Sequence, residues 1–426
     1  MWTVSHLGGT VRTEDFGHLV SRTPHSVRRA EHPAQVVEAI AFARAAGLPL
    51  APRGAAHSVY GRSQAEGGVV LDVTGIAAVG EVTPDRVTVG AGASWRAVVE
   101  ATLPAGLAPP VLPDYLDLTV GGTVVVGGVG GTTHRHGLVS DNVLELEVVT
   151  GTGDVVVCGP GHPLFDAARG GLGQVGVVTS VTLALAPAPP QARRYVVEYR
   201  TLEDMVADSR ALLAENRWDY LQGAVLPTPD GWRPVLEGAA LVTGTHQDVI
   251  EGLNGVVEIT TMSHRELLSR LEPLEAALRE LGQWDNPHPW LTTFVPDAAV
   301  EDVVGKILDR TPPEDLGKFG RVVVSPIAEG AVRTPLVRVP EGHHHAVNVL
   351  RFPGADPDEA ERLVAVNREL YEVVVRAGGT LYPVSALPLS AAEWAAHYGD
   401  AMAGFAAARA EFDPDGILTP GYEVFR

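Results

Sequence analysis

The feature that most constrains this chain is where its glycines fall. Of the 47 in the sequence, the densest runs lie ahead of residue 190, in Arg53-Gly54-Ala55-Ala56-His57-Ser58, in Thr119-Val120-Gly121-Gly122-Thr123 through Gly131, and in Gly170-Gly171-Leu172-Gly173-Gln174-Val175-Gly176. Only where no side chain intervenes can backbone N–H groups close on a phosphate, so such runs mark either tight turns or a cradle for a phosphate-bearing ligand. The one GxGxxG, Gly171 to Gly176, is not a dinucleotide fingerprint. That motif needs a strand before it and a helix after it, and here a helical pattern (Pro163 to Arg169) precedes and a strand (Val177 to Leu185) follows.

Composition narrows the field further. The length of 426 residues allows two or three domains, and 45% hydrophobic content is ample for large cores. A single Cys, Cys158, forbids an intrachain disulfide and any cysteine-built metal cluster. With 32 Lys+Arg against 52 Asp+Glu the net charge is −20, which argues against nucleic acid or anionic lipid as partner. Met1 to Arg22 mixes His, Asp, Glu and Arg without an apolar core, and no apolar run reaches membrane-spanning length. The expectation is a soluble, cytoplasmic protein acting on small molecules, as a monomer or small homo-oligomer.

Apolar spacing predicts a helix over Pro33 to Ala46, stopped by Gly47 and followed by an extended Leu48 to Ala51. Strands are expected at Val69–Val73 and Arg86–Ala91, a helix at Trp95–Leu103, and a β-rich stretch from Thr119 to Gly131. Asn142–Val149 and Val155–Cys158 read as a hairpin, Val175–Leu185 as a strand, and the Pro-rich Ala186–Pro190 as a domain boundary. Beyond it come helices at Leu202–Asn216, Arg265–Leu281 and Pro357–Ala377 with strands between them, then a helical Ala391–Phe412 and an extended Gly416–Phe425.

Four polar features stand out. His57 sits on a tight loop before a hydroxyl, either a hydrogen-bonded structural histidine or an exposed functional one. Asp114, in Pro110-Val111-Leu112-Pro113-Asp114-Tyr115-Leu116, is either a turn residue or, if buried, a base. Glu237 is a lone acid in a strand pattern, facing solvent or a pocket. In His343-His344-His345 alternate side chains of a strand diverge, so only His343 and His345 could share an ion; polar lining is the better reading, and no metal is expected.

Around these residues the sequence resembles the flavoproteins of the vanillyl-alcohol oxidase/para-cresol methylhydroxylase superfamily, and within it the cytokinin dehydrogenases. Leu48-Pro49-Leu50-Ala51-Pro52-Arg53-Gly54 is general to the superfamily. More specific are Asp114-Tyr115-Leu116-Asp117-Leu118-Thr119-Val120-Gly121-Gly122-Thr123, Arg135-His136-Gly137, Asn142-Val143-Leu144-Glu145-Leu146, Gly170 to Thr179, Pro287-His288-Pro289-Trp290-Leu291, Phe412-Asp413-Pro414 and Ile417-Leu418-Thr419-Pro420-Gly421. The resemblance implies a two-domain α+β fold: residues 1–190 binding FAD (core about 22–187), 191–389 forming a substrate domain on an antiparallel sheet, and 390–426 returning to the first domain.

It further implies an FAD held largely by backbone amides, with His57 matching the position joined covalently to the flavin 8α carbon. Arg53, Gly54, Ala55, Ala56, Ser58, Arg62, Thr119, Gly121, Gly122, Val125, Thr419 and Tyr422 fall at cofactor-contacting positions, and Val129 and Val178 at apolar ones. Asp117 stands where a berberine-bridge-like branch carries a second linking Cys, so a single attachment is expected. Asp114 matches the acid or base beside the flavin, and Glu237 the carboxylate that binds the cytokinin side-chain amine. The implied reaction oxidises a C–N bond of an N6-isoprenoid adenine or related amine: hydride leaves carbon for flavin N5, the N–H proton goes to Asp114, and oxygen or another acceptor takes the electrons.

The sequence departs from the plant pattern in places. Ala55-Ala56 replaces Arg-Gly before the histidine, Arg62 and Tyr422 replace glutamines, and Val125 replaces a serine. Ser325–Pro340 lacks the aromatic residue that other members place over the substrate ring. An FAD-dependent oxidase tailoring a secondary metabolite at an alcohol or amine is therefore the alternative. A flavin or ligand binder without turnover is a third reading, disfavoured because buried acids are costly in a pure binder.

Overall fold

The computed structural model describes residues 13–244 and 248–425; the polar N-terminal reading lies outside the described residues up to position 12. The first helix, Pro33–Ala46, begins with Pro at its first turn and ends where Gly47, at φ 64°, bonds back to the carbonyls of Ala43 and Arg44. Its buried face, Val36, Ala39, Ile40 and Ala43, packs on a three-stranded parallel sheet ordered Ser26–Arg29, Val69–Asp72, Leu50–Arg53. Beside it lies a four-stranded antiparallel sheet ordered Arg86–Gly90, Gly176–Ala184, Val143–Thr150, Val155–Cys158, which contains the expected hairpin.

The larger sheet has eight strands, all drawn from Gln191 to Leu381, and its pairings are antiparallel. Strand alternation gives it two different faces. Val322, Val324, Val347 and Val349 point into a core against the helices Leu202–Glu215, Val300–Asp309 and Pro357–Arg376. Their neighbours Val323, Ser325, Asn348 and Leu350 point the other way, towards the Gly-rich half of the chain. There Gly131 lies so close to Tyr220 that a Cβ would sit 1.9 Å from its ring.

The chain then returns. Leu418 joins the parallel sheet beside Leu50, with Leu50 N–H donating to Ile417 O at 2.8 Å and Thr419 N–H to Leu50 O at 2.9 Å. Buried Asp413 accepts from the N–H groups of Ile417 and Leu418 and fixes this turn.

Four expectations are corrected. The stretch from Thr119 is not β-rich: Val120–Val124 is a short helix, held where Trp95 Nε1 donates to Thr123 Oγ1 at 2.9 Å and Gly121 N–H to Ala91 O. Its valines looked like strand formers, and core packing of Val120 and Val124 overrides that local preference. Arg265–Leu281 is two helices, His264–Leu268 and Glu272–Glu280, because Pro273 cannot continue a helix from its predecessor. Ala391–Phe412 likewise breaks at Gly399, and Pro420–Tyr422 is a 3-10 turn rather than extended chain. Among the described residues no helix is long and apolar enough to cross a membrane.

Candidate active site

A cavity of about 390 Å³ lies between the Gly-rich loops and the open face of the large sheet. Every sequence-predicted cofactor residue, from Arg53 to Tyr422, lines it, and so does Asp114; Glu237 does not. The segment Gly170 to Gly176 also reaches the wall through Leu172, Gly173 and Gly176, in a turn where Leu172 and Gly173 both take positive φ. It is tied to the C-terminal turn by Thr419 Oγ1 donating to Gly173 O at 2.8 Å and Gln174 Nε2 donating to Thr419 O at 3.0 Å.

The loop after strand Leu50–Arg53 is built to present its backbone. The N–H groups of Gly54, Ala55, Ala56 and His57 donate to no described residue. Ala56 sits at φ 56°, a left-handed conformation unusual outside glycine. It is held there by Phe16 N–H donating to Ala56 O at 2.8 Å, with Gly17 N–H donating to Ser58 O at 3.0 Å. Below the loop Asp15 accepts from Ser58 Oγ and the Gly61 N–H; burial pushes its carboxyl up against the pull of these donors. Arg62 is buried and donates to the carbonyls of Gly421 and Leu387, clamping the C-terminal turn to the site.

His57 lies in an aromatic stack. Its ring is 3.9 Å from that of Phe16, and Phe16 is 3.9 Å from His288 on its other face, with Tyr115, Trp284 and Trp290 around them. Burial, with the charges of His288 and Arg279 behind it, pushes the imidazole down to about 3, so the ring is neutral at physiological pH and keeps a nucleophilic nitrogen lone pair.

Asp114 is not surrounded by apolar groups, as its sequence neighbours suggested. It accepts from Arg270 Nη2 at 2.7 Å, from Gln222 Nε2 at 3.1 Å and from Tyr220 OH at 3.3 Å. Arg270 also bonds the Tyr220 hydroxyl. Burial opposes charge on Arg270, but Asp114, Tyr220 and Glu237 outweigh it and hold the guanidinium above its usual range. Glu237, one strand over from Gln222, accepts from Arg194 Nε at 2.6 Å and faces Arg270 at 3.5 Å.

Sequence reasoning missed part of the wall: Gln222, Thr292, Val323, Asn348, Leu350 and Tyr382. The alternation of the strands that carry most of them was the available signal, but it could not say which face met the Gly-rich loops. Of the three consecutive histidines, His343 is exposed while His344 and His345 are buried. Among the described residues no group of three or more His, Cys, Asp or Glu is arranged to hold a metal. Cys158 is buried, its thiol pushed up to about 11 by that burial, and it does not line the cavity.

Residues 24–159 match the FAD binding domain family, and residues 239–425 match the family described as cytokinin dehydrogenase 1, FAD and cytokinin binding. An uncharacterized oxidoreductase of the fasciation locus of Rhodococcoides fascians is 35% identical across 100% of this chain and 99% of its own. Cytokinin dehydrogenase 8 of Oryza sativa subsp. indica is 32% identical, covering 96% of this chain and 90% of its own. This chain belongs to the cytokinin dehydrogenase-like FAD-dependent oxidoreductases of the vanillyl-alcohol oxidase superfamily. The fold agrees: 6-hydroxy-D-nicotine oxidase from Arthrobacter nicotinovorans superposes with a TM-score of 0.76 at 22% identity, over 100% of this chain and 97% of that one.

For a cytokinin dehydrogenase-like flavoenzyme the cofactor is FAD, and the site fits it. A row of undonated N–H groups from Gly54 to His57 suits a pyrophosphate. Gly54 lets that loop touch Thr119, whose Oγ1 would lie 2.1 Å from a Cβ there.

Proposed function

We propose that this enzyme oxidises a C–N bond of a small amine, an N6-isoprenoid adenine or a related compound, with FAD linked through His57 alone. Bound FAD supplies the two-electron acceptor for such a reaction. Asp114 takes the N–H proton; Tyr220, Gln222 and Arg270 fix its carboxylate at the cavity edge. Asn348 offers a buried Oδ1 without a partner for a substrate N–H, and Trp290, Tyr382 and Val384 supply a wall for a flat ring. The observation that carries this reading is the presence of His57 and Asp114 on one cavity.

The test is anaerobic addition of isopentenyladenine to the purified enzyme. Bleaching of the flavin absorbance is expected, and an unchanged spectrum would sink the cytokinin version. One observation favours the alternative of an oxidase tailoring another alcohol or amine: Glu237, the carboxylate that the resemblance aims at the cytokinin amine, is engaged by Arg194 and Arg270 away from the cavity wall. A screen of alcohols and amines read by the same bleaching separates the two.

A further inference from the structure

One guanidinium on the cavity face of the large sheet forms no ion pair with a described residue. Arg321 opens the strand Arg321–Ile327, two residues from cavity-lining Val323 and directly across from cavity-lining Leu350. The side chain is partly buried and makes no hydrogen bond or ion pair with any described residue. The charged groups that act on it are Glu237, Asp114 and Arg270.

Both carboxylates are already engaged. Glu237 is held by Arg194 and faces Arg270, and Asp114 by Arg270, Gln222 and Tyr220. Three guanidiniums, Arg194, Arg270 and Arg321, thus stand against two carboxylates, and the one left over sits on the strand pair that gives Val323 and Leu350 to the cavity wall. Burial pulls the Arg321 guanidinium below its usual value, against the pull of Glu237 and Asp114. An arginine in such a place has one preferred complement, a planar anionic oxygen group that it can grip with two N–H donors.

We propose that the substrate cavity takes a ligand bearing a carboxylate, and that Arg321 is the residue that receives it. The proposal rests on the reading above in assuming that this cavity is the substrate site, and within it selects a carboxylate-bearing amine over an N6-isoprenoid adenine, which has no carboxylate; it does not depend on which bond is oxidised. With the carboxylate on Arg321, the body of the ligand lies along Val323, Asn348 and Leu350, and its other end is directed to Asp114.

The test uses the flavin-loaded enzyme and a matched pair of inert probes, benzoate and benzamide, of nearly equal size and differing in charge. Binding is followed by perturbation of the flavin absorbance and by calorimetry. Wild type is expected to bind benzoate about tenfold or more tightly than benzamide, the scale of one charged hydrogen-bonded pair. Arg321→Gln is expected to abolish the preference, and Arg321→Lys to keep part of it, with flavin retention and melting temperature as folding controls. Equal binding of the two probes by wild type, or a preference that survives Arg321→Gln, overturns the proposal. If Arg321→Gln does not fold, an undiminished preference in Arg321→Lys counts against bidentate capture and the wild-type comparison still decides. Flavin that stays oxidised with isopentenyladenine while the benzoate preference holds would reject the cytokinin reading and leave this one standing.

Discussion

His57 is held flat by a neighbour distant in sequence. Phe16 lies against it at 3.9 Å and is itself backed by His288, whose Nδ1 meets Phe16 O at 2.8 Å. A stacked ring restricts rotation of the imidazole, so its nitrogen is aimed before any bond to flavin forms. On the proposed attachment, His57→Ala retains no flavin through denaturing electrophoresis, whereas wild type shows in-gel flavin fluorescence. Phe16→Ala is expected to bind FAD but to lower the covalently retained fraction several-fold, and Phe16→Tyr to restore it. At the other end of the site, Asp114→Asn is expected to lower kcat by about 10²- to 10⁴-fold, the usual worth of a positioned base, while leaving the flavin attached. A kcat within a factor of about three of wild type would remove Asp114 from the proton-accepting role.

Elements explain what individual residues could not. The first helix and the hairpin were readable because apolar spacing, a terminal glycine and a tight turn all agreed there. Val120–Val124 was not, since its valines prefer strands locally and only the contacts to Ala91 and Trp95 make it helical. On the Gly-rich half of the site, bare backbone has a sequence signature that marked the loops, and the resemblance to a known family supplied the individual positions from Arg53 to Tyr422. The sheet half could not be named in this way, because Gln222, Asn348 and Arg321 take their meaning from a face chosen by packing, not from neighbours in the chain. The junction of the two halves has a sharp test. A Cβ at Gly131 would stand 1.9 Å from the Tyr220 ring, so Gly131→Ala forces Tyr220 aside and is expected to cost about 1–3 kcal/mol. Because Tyr220 bonds Asp114, the same variant should lose turnover beyond its loss of stability, seen by comparing kcat with the melting temperature.

The whole molecule carries a pH liability. His134, whose neutral ring can donate to only one of the two carbonyls it faces, Gly131 O and Trp218 O, and His288 are buried and each pushed down to about 4, chiefly by that burial. Below about pH 6.5 the unfolded chain binds protons that the folded one refuses, so stability is full above that pH and falls as pH drops towards 4. The loss is on the order of 3 kcal/mol per ring at pH 4. Thermal melts from pH 7.5 to 4 should show a falling melting temperature, and His134→Gln should flatten the slope. A flat profile in wild type would contradict the burial of both rings.

The return of the chain to its first sheet also sets an order of events. Leu50 cannot gain its neighbour Leu418, nor the cavity its Thr419 and Tyr422 walls, until synthesis has passed through the whole intervening sheet. The pocket is therefore finished last. A growing chain presents the Gly54–His57 loop long before the Thr419 and Tyr422 walls exist, and truncation ahead of Ile417 is expected to abolish flavin binding however well the earlier parts fold.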